Sequence, residues 1–461
     1  MYKSMFFVFL LCAFASGYSQ IIVDQFPKPT AAQLAWQEAE LGVLISYDLP
    51  VFQGKPYNQS QNRITPIADA NTFNPVNLDT DQWIKAAKAA GARFAVLTVT
   101  HETGFALYQS DVNPYCLKAI RYKDGKGDIV REFVNSCRKY GIQPGLYVGI
   151  RWNSYWGVYD FKVQGSGAFA ANRQQYYKKM CEEMVRELCT RYGKLFMLWF
   201  DGGADGPDNL GPNVLPIVKR YQPDCLFYHN TQRADFRWGG SESGTVPYPC
   251  WSTYPFPFSH AARQDTVFAN DFKLLKHGAA DGKYWMPAMS DAPLRGENGG
   301  HDWFWNPNQD HHVNSIATLM RMYYQSVGHN STLIIGLTPD NRGLIPDKDV
   351  TRLKEWGDSI QKDFREPIAE WNENDDKWIV NIPKDKKISR VVIQEKIQDG
   401  ERVGAFLIEA KQNGKWKKIA EGTCIGHKFI KAFEHPLNVN SIRLKILSTT
   451  GEALIKRFSV Y

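Results

Sequence analysis

The stretch "KLFMLWFDGG", residues 194–203, decides how this chain is read. A continuous apolar run, Leu195 to Phe200, ends on Asp201 and two glycines. Such a run predicts a strand buried on both faces, as in a parallel sheet covered by helices. The acid at its end has two readings. It marks a turn where the strand stops, or it is a chemical group held at the C-terminal rim of a barrel, the end that carries chemistry in such folds.

The flanking sequence favours the barrel. "DQWIKAAKAAG" (81–91), "DIVREFVNSCRKYG" (128–141) and "NRQQYYKKMCEEMVRELCTRYG" (172–193) have helical spacing and close on glycine. Each leads into an apolar run: "ARFAVLTVT", "QPGLYVGIRW" and "KLFMLWFDGG". Further on, "DCLFYHN", "GKYWMPAMS" and "STLIIGL" read as strands, and "NVLPIVKRYQP", "HVNSIATLMRMYYQSVG" and "KDVTRLKEWGDSIQKDF" as helices. "ELGVLISYDLPVF" holds a first strand, followed by a long loop over the barrel mouth, "GKPYNQSQNRITPIADANTF". Repeated helix–Gly–strand units predict an α/β fold, a (β/α) barrel of TIM type. Another parallel α/β arrangement is the alternative, although no Gly-rich phosphate fingerprint follows the first strand.

After residue 364 the pattern changes to short strands with turns, and "QNGK" (412–415) signals a hairpin. The chain therefore divides into a barrel over 20–364 and a C-terminal antiparallel β-sandwich over 365–461, either a structural module or a lectin-like one. A length of 461 residues suits a large domain plus a smaller one.

The first twenty residues carry one early Lys, an apolar run from Met5 to Ala15, and small residues Gly17 and Ser19 before Gln20. This predicts a signal peptide over 1–19 and an exported protein, periplasmic or extracellular. Leu11 before Cys12 argues against lipidation, and no later run is long enough to span a bilayer. Of eight cysteines, removal of Cys12 leaves seven, widely spaced, so the fold is not a disulfide scaffold. The net charge of +7 is dispersed, which excludes a nucleic-acid stripe. The 14 tryptophans suit both a large core and stacking against sugar faces.

A second carboxylate lies in "DFRWGGSESG", residues 235–244, where Glu242 sits among small residues after Arg237 and Trp238. Alone it reads as a surface acid in a polar loop. Together, "WFDG" (199–202) and "DFRWGGSESG" resemble glycoside hydrolase family 29, the α-L-fucosidases, in particular the branch acting on 1,3/1,4-linked fucose. "TLIIGLTPDNRGLI" (332–345) is similar to that family's last barrel strand and turn. The resemblance implies a barrel followed by a β-sandwich, Asp201 as nucleophile and Glu242 as acid/base. It implies a retaining exo-glycosidase that removes terminal α-L-fucosyl residues from an oligosaccharide or glycan. That chemistry takes two carboxyls and no cofactor or metal, with Glu242 expected to hold a proton through a raised pKa. His101, Tyr147, Trp199, Arg237 and Trp303 join them as expected substrate-binding residues.

The chain also departs from the family's pattern. "ISYD" (45–48) stands where the family has Ile-His-Trp-Gly, placing Ser46 and Tyr47 at the His and Trp. "HETGF" (101–105) keeps His101 but has Glu102 for the second His. In the family those two His residues hold the axial 4-hydroxyl of L-fucose. Ser46, Tyr47 and Glu102 are thus candidate substrate contacts of a rebuilt pocket, and an α-L-glucoside or α-L-galactoside becomes an alternative substrate. "GENGGHD" (296–302) looks inserted and offers Glu297 as a rival acid and His301 as a neighbour. A non-catalytic sugar-binding homologue is the competing class; retention of both carboxylates argues against it.

Overall fold

The computed structural model describes residues 26–206, 209–258, 272–372 and 378–461; the predicted signal peptide lies outside them. Eight strands build one sheet: β1 (Leu41–Ile45), β2 (Phe94–Thr100), β3 (Gln143–Val148), β4 (Met197–Trp199), β5 (Leu226–Tyr228), β6 (Arg237–Trp238), β7 (Ala288–Pro293) and β8 (Ser331–Leu337). Their order is β5-β4-β3-β2-β1-β8-β7-β6, and neighbours run parallel. β1 pairs with both β2 and β8, so the sheet curls on itself instead of reversing its strand order as an open doubly wound sheet does. Asp235 bridges the remaining seam between β5 and β6. Its N–H donates to the Phe227 carbonyl at 3.0 Å, and its carboxylate accepts from the Phe227 N–H at 2.7 Å. The result is a nearly closed barrel of TIM type.

Burial explains the apolar runs. β1, β2, β4, β5, β7 and β8 are buried along their whole length, which is the cause of continuous rather than alternating hydrophobicity. Helix boundaries follow local chemistry. In Ile129–Tyr140, Asp128 accepts the Arg131 N–H at 2.8 Å, and Gly141 ends the helix at a left-handed φ of 70°.

Two strand readings change. The stretch 282–290 is not one strand. Tyr284–Trp285 pairs antiparallel with Thr253–Tyr254, and β7 starts only at Ala288, after Pro287, which has no N–H to donate to a ladder. β6 is two residues long, in a stretch read as loop, and no helix separates it from β5. A two-residue strand is too short to carry a period.

The C-terminal part holds two four-stranded antiparallel sheets. One contains β9 (Ala369–Glu370), β11 (Ile388–Glu395), β14 (Phe429–Leu437) and β16 (Ile455–Val460). The other contains β10 (Ile379–Asn381), β12 (Val403–Gln412), β13 (Lys415–Gly422) and β15 (Ser441–Thr449). Val391, Ile393, Phe406, Ile408 and Phe458 fill the space between them. The predicted hairpin turns at Asn413 and Gly414, both at positive φ, the backbone that a two-residue turn requires.

The sandwich docks at the N-terminal ends of the barrel strands. Glu40, just before β1, contacts Lys428 and accepts from His427 at 2.9 Å. Asn330, just before β8, accepts the His427 N–H at 2.7 Å and donates to Glu401 at 2.5 Å. This is the end opposite the barrel mouth, so these contacts serve the architecture.

Candidate active site

The barrel brings side chains from several strand ends to one mouth. Ser46 follows β1, His101 follows β2, Tyr147 lies on β3, and Asp201 follows β4 by two residues. Glu242 sits in the loop after β6, and Asp291 on β7. These six, with Tyr57, Trp199, Trp303 and Phe304, line one narrow cavity of about 60 Å³. A larger groove of about 710 Å³ within residues 50–72 shares Tyr57 with it but holds neither Asp201 nor Glu242.

Asp201 accepts from the Tyr147 hydroxyl at 3.2 Å. Burial raises its pKa above an ordinary aspartate; Glu242 adds to this, while His101 and the Tyr147 hydroxyl oppose it. His101 lies face to face with the Tyr147 ring, centroids 5.6 Å apart, and edge-on to Phe304 at 4.8 Å. Burial lowers its pKa, so the imidazole is held toward the neutral form. The Trp199 indole N–H, buried on the cavity wall, has no hydrogen-bond partner among the described residues.

Glu242 is half-exposed, at 44%. One oxygen, Oε2, contacts His301 Nε2 at 2.5 Å and accepts from Trp303 Nε1 at 2.9 Å. The expected upward pKa shift is corrected here. Burial does push Glu242 up, but the His301 and Trp303 hydrogen bonds, with the charges of His301 and Arg63, outweigh it and hold the carboxyl below its usual value.

Four other expectations are corrected. Tyr47 is a core residue: its ring packs edge-on against Phe52, Phe73 and Trp83, and its hydroxyl donates to the Asp340 carbonyl at 3.2 Å. Glu102 turns out of the cavity, 4% exposed, and spends both oxygens on the mouth loop: Arg63 Nε at 2.6 Å and the Tyr57 hydroxyl at 2.9 Å. Arg237 is fully buried and ties β6 to its surroundings through the Leu275 carbonyl at 2.7 Å, the Met286 carbonyl and Cys250 Sγ. Glu297 caps the helix Ile316–Ser326: one oxygen accepts from the Ser315 N–H at 3.0 Å and from the Ser315 and Thr318 hydroxyls. Glu297 does not line the cavity.

Asp291 was not singled out by sequence reasoning. It is 5% exposed, lines the cavity, and accepts from Trp238 Nε1 at 2.9 Å. Burial, then the charges of Glu242 and Asp201, push its pKa well above the usual range. The available signal was an acid late in a buried strand, the pattern of Asp201, but "AMSDAP" lacks the glycines that mark the strand end. Among the described residues no group of three or more His, Cys, Asp or Glu could hold a metal ion.

Two carboxyls meeting in a narrow cavity at the C-terminal mouth of a barrel define a glycoside hydrolase arrangement. The comparisons agree. The family model described as "Alpha-L-fucosidase" matches residues 51–363, and "F5/8 type C domain" matches 365–459. The chain belongs to the alpha-L-fucosidase family and is a member of the glycoside hydrolases. It is similar to a Bacteroides thetaiotaomicron crystal structure provisionally assigned as an alpha-L-fucosidase, at 56% identity and a TM-score of 0.92, over 95% of this chain and 99% of that one. A glycoside hydrolase 29 family member from an unknown rumen bacterium is 28% identical, with a TM-score of 0.78 over 95% of this chain and 77% of that one. Alpha-L-fucosidase 1 of Arabidopsis thaliana is 24% identical over 94% of this chain and 87% of its own length.

Proposed function

We propose that this protein is a retaining exo-α-L-fucosidase that releases terminal α-L-fucosyl residues from glycans, with Asp201 as nucleophile and Glu242 as acid/base. The observation that carries the reading is that the two carboxyls share one narrow cavity, where the charge of Glu242 helps to raise the Asp201 pKa. In a retaining enzyme the carboxyls stand about 5–5.5 Å apart, one attacking the anomeric carbon while the other protonates the departing oxygen. Because Oε2 of Glu242 is engaged by His301 and Trp303, Oε1 is the oxygen left to face the glycosidic bond. Tyr147, His101 and the free Trp199 N–H supply contacts for the sugar. "DFRWGGSESG" supports preference for 1,3/1,4-linked fucose, and the predicted signal peptide supports export to the periplasm or beyond.

Hydrolysis of p-nitrophenyl α-L-fucoside tests the activity, with Asp201→Asn as the inactive control. NMR of the first-formed anomer tests retention; an inverted product would sink the nucleophile role of Asp201. Glu242→Ala should impair poor leaving groups far more than activated aryl glycosides, with partial rescue by azide. Fucosylated oligosaccharides of each linkage test the branch, and sequencing of the mature N-terminus tests export.

A second reading concerns the sugar. Ser46 stands on the cavity wall where the family's pattern has His, so an α-L-glucoside or α-L-galactoside remains the alternative substrate. Glu102 lends this reading no support, since it faces the loop. Kinetics on the three aryl α-L-glycosides decide it: fucoside turnover exceeding the others by orders of magnitude would eliminate the alternative.

A further inference from the structure

The imidazole of His301 touches the same oxygen of Glu242 that the Trp303 indole does, from a segment that no catalytic motif contains. That segment is braced. The Glu297 N–H donates to the His312 carbonyl at 2.9 Å, the Gly300 N–H to the Glu297 carbonyl at 2.8 Å, and the Asp302 N–H to the Arg295 carbonyl at 2.9 Å. His312 Nδ1 lies 2.6 Å from Asp302, and the buried Arg295 is paired with Asp349 at 2.8 Å. The loop of Glu242 is tied from the other side: the Gly239 N–H donates to Met289 and the Gly244 N–H to Asp291, both on β7, at 2.7 and 2.8 Å. Two separately anchored loops therefore meet at Glu242 Oε2, through His301 at 2.5 Å and Trp303 at 2.9 Å. His301 itself is half-exposed.

We infer that His301 is a positioning residue for Glu242: it holds Oε2, leaves Oε1 as the oxygen that carries the working proton, and sets the pH range over which Oε1 is protonated. The inference rests on Glu242 being the acid/base. In the first step the Oε1–H bond breaks and its proton passes to the glycosidic oxygen as the C1–O bond opens, while an Asp201 oxygen bonds to C1. In the second step water attacks C1, Asp201 leaves as carboxylate, and a proton of the water returns to Oε1. In both steps His301 Nε2–H stays donated to Oε2 and stabilises the carboxylate form. The titratable and charged groups that face the pair are Asp201 and Asp291 across the cavity, Arg63 from the mouth loop, and Asp302 beside His301. The hydrogen bond to Glu242 raises the His301 pKa against the pull of burial, which favours the imidazolium beside the carboxyl.

The test is the pH dependence of kcat/KM for wild type, His301→Gln and His301→Ala on aryl α-L-fucosides with good and poor leaving groups. Gln can still donate to Oε2 but carries no charge. Its basic limb should move upward by about one pH unit or more, because the cation that holds Glu242 down is gone. His301→Ala, which loses the contact altogether, should lose at least about tenfold more activity on the poor leaving group than on the activated one. A merely structural role would change neither the limb nor the leaving-group dependence. An unmoved basic limb in His301→Gln, or equal losses on both leaving groups in His301→Ala, overturns the inference. If His301→Ala does not fold, the limb in His301→Gln decides alone. If Glu242→Ala itself shows no leaving-group dependence, the acid assignment has failed instead.

Discussion

Glu102 and Arg63 meet at 2.6 Å, and this pairing takes Glu102 out of the sugar cavity and into the support of the mouth loop. The guanidinium of Arg63 also lies over the Trp152 ring at 3.8 Å, and the Tyr57 hydroxyl donates to the other Glu102 oxygen at 2.9 Å. A residue at a sugar-reading position in the sequence pattern thus acts as an anchor for residues 54–73.

Glu102→Ala should loosen this loop without rebuilding the pocket. Leaving the Arg63 guanidinium and the Tyr57 hydroxyl without their acceptor costs about 1–3 kcal/mol. The expected result is a lower Tm and a raised KM, with the ratio of activities on α-L-fucoside and α-L-glucoside unchanged. A changed ratio would return Glu102 to the sugar site.

Asp291→Asn should be tolerated. Burial and two neighbouring acids push the Asp291 pKa well above the usual range, which favours the protonated acid; an amide is a neutral stand-in for that form, and its oxygen still accepts from Trp238. We expect kcat/KM within about tenfold of wild type, one decade being 1.4 kcal/mol. The basic limb of the pH profile should not move. A downward shift of that limb would show that Asp291 is ionised beside Glu242.

Glu297→Ala should affect stability and not chemistry. It leaves the N-cap Ser315 in place but removes the acceptor of the Ser315 N–H and of the Ser315 and Thr318 hydroxyls at the start of Ile316–Ser326, a loss of about 1 kcal/mol. The Thr318 and Ser315 hydrogen bonds hold the Glu297 pKa below its usual value. That contribution is therefore fully present above the unfolded pKa and is lost as pH falls through the folded one. Thermal melts at neutral and acid pH, beside kcat on an activated substrate, check both parts; a leaving-group-dependent loss in kcat would make Glu297 the acid.

Glu40→Gln should weaken the docking of sandwich on barrel. Burial raises the Glu40 pKa, but Lys428 and His427 outweigh it and hold the carboxyl far below the usual range. Removing one partner of such a buried cluster costs about 3 kcal/mol. A depressed folded pKa means that the stability is present above the unfolded pKa and lost as pH falls. The wild type should therefore lose Tm on acidification, and the variant should lose less. Parallel slopes for the two proteins would remove Glu40 from the acid response.

The barrel and Asp201 were legible in the sequence because both depend on local patterns. A strand buried on two faces is apolar throughout, its helix neighbours end on glycine, and the acid follows within two residues of Trp199. β6 escaped because two residues carry no period, and Asp291 because nothing beside it marks a strand end. Glu242 was found through its resemblance to a family stretch; as a polar loop residue it had no physical signal of its own.

Sequence by itself determined most of the barrel strands and which acid follows β4, because burial and chain direction act over a few residues. Only the tertiary structure decided which side chains at the mouth face the sugar cavity. Ser46 and Asp291 line it, while Tyr47, Glu102, Arg237 and Glu297 turn to the core, the mouth loop, the carbonyls of Leu275 and Met286, and a helix start. His301 reaches Glu242 across 59 residues of chain. The direction of a strand-end side chain and the partner it meets are set by what packs against it, and those groups come from distant parts of the chain.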